Sequence, residues 1–248
     1  MNPYLPGISN YCDRWCERCS MSHRCRLFSH QRSIEGAYEE PTAENLINQI
    51  ERNLFGDSPF QGFKATDFIL SLSDGQENPA GNLMGPRENY IDVEQHPLSV
   101  ASAEYGSAIG QWIEHAGEEL EWTARRLEKE LQSDMSEEAS AHDMVAFEEA
   151  LEVISWYRFQ IGIKLRRALQ SQAEEALGLI FGPSDADGSS KVALIGIDRS
   201  LIACHRLSID LPAQTEALDA LGAGLESLRV ETESTFPEAR AFQRPGLD

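Results

Sequence analysis

Residues 98–132 read LSVASAEYGSAIGQWIEHAGEELEWTARRLEKELQ. Within this stretch Tyr105, Ile109, Trp112, Ala116, Leu120, Thr123, Leu127 and Leu131 recur at steps of three and four. That is the spacing of one apolar face of an α-helix, and it predicts a single continuous helix about 50 Å long at about 1.5 Å per residue. Gly106, Gly110 and Gly117 each weaken such a helix by about 1 kcal/mol relative to alanine, so they point to close packing against another helix.

The chain beyond this stretch keeps the same period. A polar turn, Asp134 to Ala139, precedes Ser140 and Asp143, which fit a capping box for a helix over 141–177. That helix carries two neighbouring stripes, Phe147, Leu151, Ile154, Ile161, Leu165 and Ala168 in one, Val145, Glu148, Glu152, Trp156, Phe159, Ile163 and Arg167 in the other, so it should face more than one neighbour. Gly182 to Gly188 interrupts the pattern. A third helix follows from Ser189 to Ser208, and a fourth from Pro212 to Thr235 with Leu218, Leu221, Leu225 and Leu228 on its inner face. Alternation with a period of two is absent at any useful length. The expected fold is all-α, a four-helix bundle over about 98–235, with residues 236–248 as a tail.

Upstream the pattern is weaker. Pro41 and Thr42 open a helix to about Phe55, and another short helix is expected near 63–73. Asp74-Gly75, Pro79, Gly81, Gly85 and Pro86 then make 74–97 an extended loop, so that 41–97 forms a region of short helices and loop. Leu27 to Tyr38 reads as a basic connector. Residues 1–40 stand apart as a cysteine-rich segment, because Cys12, Cys16, Cys19 and Cys25 are four of the five cysteines of the chain.

The spacing of those four is C-x3-C-x2-C-x5-C, which lets one short loop bring four thiolates to a single metal ion or cluster. Structural zinc more often uses two C-x2-C pairs set a dozen or more residues apart, whereas cubane iron–sulfur clusters are held by close-set cysteines. Cys12, Cys16 and Cys19 resemble the C-x3-C-x2-C of radical S-adenosylmethionine enzymes. Cys16, Cys19 and Cys25 are similar to the end of the cluster loop in endonuclease III-like DNA glycosylases. The periodicity gives neither a βα barrel nor a helix-hairpin-helix, so these resemblances imply cluster-compatible spacing and no activity. The wording Tyr11-Cys12-x-Arg14-Trp15-Cys16-Glu17-Arg18-Cys19, with Ile195-Gly196-Ile197-Asp198-Arg199-Ser200, also resembles bacterial proteins that have an N-terminal cysteine cluster and no assigned activity.

The expected cofactor is therefore a [4Fe–4S] cluster or Zn, with two disulfides as a further use of the same loop. Disulfides would leave Cys204 odd, and Met1 to Gly7 lacks the basic and apolar regions of a signal peptide, which points to a cytoplasmic protein with reduced thiols. His23 is either a substitute ligand or a loop residue. Cys204, on an apolar helix, reads as a small buried hydrophobe.

The net charge of −20 argues against binding nucleic acid or an anionic membrane, and no run of eighteen apolar residues exists to span one. Around the cysteines the sign reverses, with Arg14, Arg18, Arg24, Arg26 and Arg32 against Asp13 and Glu17. Such a neighbourhood can offset thiolate charge and lower cysteine pKa values. It can also bind the protein's own acidic bundle or an anionic ligand, or be a solvated loop.

A second metal site is conceivable inside the bundle. His115 and Glu119 lie one turn apart, Glu148 and Glu152 interrupt an apolar stripe, and Asp198 and His205 share a face of the third helix. Together they would suit a ferritin-like di-metal carboxylate centre, although Glu-x-x-His is missing. The structural alternative pairs Asp198 with Arg167 or Arg199, pairs Glu152 with Arg158, and leaves His115 at the boundary. Three functions are thus expected as alternatives: a redox or electron-transfer metalloprotein with a redox partner, a zinc-clipped helical adaptor for a basic protein, and a di-metal bundle enzyme.

Overall fold

The structure, a computed structural model, describes residues 3–35, 92–132, 137–179 and 185–248. Among these residues helix is the sole regular secondary structure. The six α-helices are α1 (Arg26–Glu35), α2 (Pro97–His115), α3 (Gly117–Gln132), α4 (Glu137–Ala176), α5 (Ala186–Asp210) and α6 (Thr215–Thr235). Short 3-10 turns cover Cys16–Arg18, Ser22–Arg24, Val93–Gln95 and Pro212–Gln214. No described helix is long and apolar enough to cross a membrane.

The chain divides into two compact units, Arg26–Tyr90 and the combination of Met1–Cys25 with Ile91–Asp248. In the first of these units, α1 replaces the connector expected over Leu27 to Tyr38, and Arg32 lies 5.4 Å over the Phe28 ring. The helices expected at 42–55 and 63–73, and the 74–97 loop up to residue 91, fall outside the described residues.

In the other unit the start of α2 is set by local chemistry. Asp92 Oδ1 accepts from the Glu94 N–H at 3.2 Å, and His96 Nδ1 accepts from the Leu98 N–H at 3.2 Å, with Pro97 in the first turn. These caps satisfy backbone donors that a helix start leaves free. The long helix expected from Leu98 to Gln132 is divided at Ala116, where φ is −83° and ψ −2°. The ladder passes through the division, since the Ala116 N–H donates to Trp112 O and the Leu120 N–H to Ala116 O. The apolar stripe therefore survives: Tyr105, Ile109, Trp112, Ala116 and Leu127 are all buried.

α4 packs along α5, α5 against α6, α6 against α2 and α2 against α4, while α3 also lies along α4. Phe147, Ile154, Tyr157, Ile161 and Leu165 of α4 and Leu194, Ile197 and Leu207 of α5 are fully buried between them. Burying each such side chain contributes about 1.5–3 kcal/mol. A Cβ on Gly106 would stand 2.6 Å from the Arg158 carbonyl oxygen, so α2 and α4 approach there at backbone distance. Gly117, by contrast, faces nothing within 4 Å and belongs to the division between α2 and α3. On α4 the second stripe is only partly covered, with Val145, Phe159 and Ile163 exposed.

The starts of α4 and α5 differ from expectation. α4 begins at Glu137, which places Ser140 inside the helix, and Asp143 accepts from Arg206 Nη2 at 3.0 Å instead of closing a capping box. α5 begins at Ala186, so Gly188 is helical rather than part of a break. Residues 236–248 pack back on the helices. Phe236 and Ala239 are buried, and Lys191 Nζ donates to Phe242 O at 2.6 Å and pairs with Asp248 at 3.3 Å.

Candidate metal centre

The cysteine loop is a chain of tight turns. The N–H groups of Cys19, Ser22 and Cys25 each donate to the carbonyl three residues back, at 3.1–3.2 Å. The three-residue step of these turns matches the step from Cys16 to Cys19 and, doubled, to Cys25. Cys12 lies one turn earlier, where its thiol donates to Ser9 O at 3.5 Å. All four thiols are free and partly buried.

Asp13 fastens this loop to the helices. Its Oδ1 accepts from the Trp15 N–H at 3.2 Å, an Asx turn that goes with Arg14 in the left-handed region at φ 63°. Its Oδ2 accepts from the Tyr157 hydroxyl and, at 3.1 Å, from Arg199 Nη1, while Trp156 Nε1 donates to the Asp13 carbonyl at 3.1 Å. Burial, followed by the bond to Asp13, pushes the Tyr157 hydroxyl pKa above its ordinary value.

Trp15 then turns inward. Its ring stacks on Trp156 at 5.2 Å and 19°, and meets Tyr157 edge-on at 6.1 Å. Arg18 closes the outer side, with its guanidinium 4.2 Å above the Trp15 ring and bonded to Glu149 at 2.9 Å and to Glu152. Just before the cysteines, Tyr11 sits in a seat that only glycine allows. A Cβ on Gly188 would come within 2.3 Å of the Tyr11 ring, which also meets Phe242 edge-on at 4.8 Å. Burial and a hydrogen bond to Asp185 push the Tyr11 hydroxyl up to about 12.

The electrostatics at the cysteines differ from the sequence expectation. Lowered thiol pKa values are one use open to the arginines, yet Cys16 is raised, first by burial and then by the neighbouring Cys12 thiol, with Glu17, Cys25 and Cys19 adding to it. Arg18 is turned toward Trp15, Glu149 and Glu152. The same interactions place Cys12, Cys19 and Cys25 within electrostatic reach of Cys16. Lys164, 5% exposed on α4, has its ammonium destabilised by burial, and Cys12 is the largest opposing influence.

Donor chemistry and turn spacing fit a thiophilic metal, but the thiols are not drawn to one point. Among the described residues no group of three or more His, Cys, Asp or Glu is placed to hold a metal ion. Four approaching thiolates repel one another, and a cation is what would offset that repulsion.

The six residues of the second expected site are dispersed. His115 is exposed with Nδ1 2.7 Å from Gln111 O, and Glu119 accepts from Gln214 at 2.7 Å. Glu148 and His205 are exposed, Glu152 bonds to Arg18 rather than Arg158, and Asp198 is held by Arg240 and Arg229 rather than Arg167 or Arg199. Arg167 binds Asp185 instead, at 2.8 Å. Cys204 is buried, which pushes its thiol up to about 12.

Asp13, Tyr157 and Arg199, which fix the loop, were not legible as a site because 144 and 186 residues separate Asp13 from its partners. Compared with protein-family models, curated proteins and solved structures, the chain shows no match.

Proposed function

We propose that this chain is a cytoplasmic metalloprotein in which Cys12, Cys16, Cys19 and Cys25 hold a [4Fe–4S] cluster with a redox or electron-transfer role, carried on a four-helix bundle of α2, α4, α5 and α6. The observation that carries this reading is the seating of the cysteine loop. The four cysteines lie on short turns anchored by Asp13 and Trp15, so the loop backbone is ordered before any metal arrives, and binding would draw the thiols to one point. A site ordered in this way loses less conformational entropy on binding. The closed succession of contacts among α2, α4, α5 and α6 supports the bundle. In the loaded protein the cluster supplies one-electron chemistry. Trp15 excludes water from one side of the loop, and the Lys164 ammonium offsets thiolate charge.

The test is metal and acid-labile sulfide content with a visible spectrum, on protein purified without oxygen, beside the Cys16→Ser, Cys19→Ser double variant. About four iron and four sulfide per chain, lost in the variant, is the expected result. A protein with neither metal nor sulfide contradicts it.

Zinc in the same loop is the second reading. It is favoured by the net charge of −20, which suits an acidic adaptor for a basic partner. One zinc per chain without sulfide selects this reading.

A further inference from the structure

A cleft of about 720 Å³ opens beside the cysteine loop, bounded by α4, α5 and the C-terminal segment. Its volume is that of a site for a small organic molecule. The space exists because α4 presents Ala146 and Ala150 and α5 presents Ala203, where longer side chains would fill it. Cys12 and Cys19 form part of one wall.

The charge of the lining is unlike that of the protein. Arg18, Arg199, Arg206 and Arg244 line the cleft against only Asp13 and Glu149, in a chain whose net charge is −20. The carboxylates that hold two of these arginines, Asp143 and Asp210 for Arg206 and Asp248 for Arg244, lie outside the lining. The Arg206 side chain keeps 24% exposure and that of Arg244 16%. Arg206 donates through Nε and Nη2, and Arg199 through Nη1 alone, which leaves Arg206 Nη1 and Arg199 Nε and Nη2 without a hydrogen bond among the described residues. Arg199 and Arg206 are seven residues apart on α5, two turns or about 10.5 Å. Between them Ile202 is 71% exposed at the cleft.

We infer that this cleft binds a small organic oxyanion, a carboxylate or phosphate ester with an apolar body. Its charged group bonds to Arg199 or Arg206, and its apolar body covers Ile202 and the alanine floor. Guanidinium groups match planar and tetrahedral oxyanions through paired N–H donors. The site does not depend on a metal in the cysteine loop, although a ligand in it would lie against Cys12 and Cys19.

The test is fluorescence titration of the full chain with 8-anilinonaphthalene-1-sulfonate, an aromatic oxyanion, beside N-phenyl-1-naphthylamine, which has the same body without the charge. Saturation near one sulfonate per chain is expected, with the neutral dye at least about tenfold weaker. Arg206→Gln should weaken the sulfonate by about tenfold. Ile202→Glu, at an exposed position that leaves folding intact, should do so too by adding a carboxylate between the arginines. Displacement by phenyl phosphate alone assigns a phosphate ligand, displacement by benzoate alone a carboxylate, and displacement by both the shared class. Equal binding of the two dyes, unchanged binding in Ile202→Glu, or displacement by neither anion overturns the inference.

Discussion

The cysteine loop and the helices beneath it are held by different physics. Between α4 and α5 stability comes from side chains such as Ile154, Ile161 and Leu165, fully buried at helical spacing and interchangeable in kind. The loop buries little beyond Ile8 and Trp15 and depends on individual polar bonds, above all those of Asp13. The contrast teaches that a regular core tolerates changes that keep volume and apolarity, whereas a segment pinned at one carboxylate does not.

The largest effect should therefore come from the core and be felt everywhere. Ile161→Ala should lose about 2–5 kcal/mol in urea denaturation followed by far-ultraviolet circular dichroism. Asp13→Ala should cost less, about 1.5–3 kcal/mol, because it removes a charged acceptor of three hydrogen bonds. Its signature should also be local: Trp15 fluorescence and proteolysis near the cysteines should change while the helical signal persists. If Asp13→Ala melts the helices as Ile161→Ala does, the two regions are not distinct.

Alkaline pH sharpens the comparison further. Tyr11, Tyr105 and Tyr157 all have pKa values raised above the ordinary 10, each chiefly by burial. A raised folded value means that the folded state keeps its proton longer than the unfolded chain. The stabilisation is thus complete below pH 10 and is lost as pH rises, through about 12 for Tyr11. Denaturation midpoints should fall above about pH 10, and tyrosinate absorbance should show these hydroxyls ionising only as the protein unfolds. Ionisation of every tyrosine near pH 10 in folded protein would contradict the buried loop contacts. The smallest effect belongs to Glu149→Gln, which removes an exposed partner of Arg18 and should cost no more than about 1 kcal/mol in the same urea experiment.

Periodicity carried most of the fold. The stripes from Tyr105 to Leu127 and from Phe147 to Leu165, and the leucines from Leu218 to Leu228, mark faces that are indeed buried. Boundaries were lost where a tertiary contact overrides a local signal. Gly188 looks like a helix breaker, but it is glycine because Tyr11 and Phe242 lie against it. Ala116 looks like one more stripe residue, and it is where α2 and α3 separate. The connector at Leu27 forms α1 because its residues, though basic, include no breaker before Gly36. At the candidate centre spacing alone marks the four cysteines as a set. Their anchorage is not marked, since no local pattern links Asp13 to Tyr157 and Arg199. Of the uses open to the arginines, Arg18 takes the acidic bundle, bound to Glu149 and Glu152 with its guanidinium over Trp15.

The most direct measurement of the central claim is a cobalt(II) titration of the reduced, metal-free chain, followed by visible absorption. The account predicts saturation at about one cobalt per chain, with thiolate-to-cobalt bands that disappear in the Cys16→Ser, Cys19→Ser variant. Absence of those bands, or bands unchanged in the variant, would contradict a metal centre at these four cysteines.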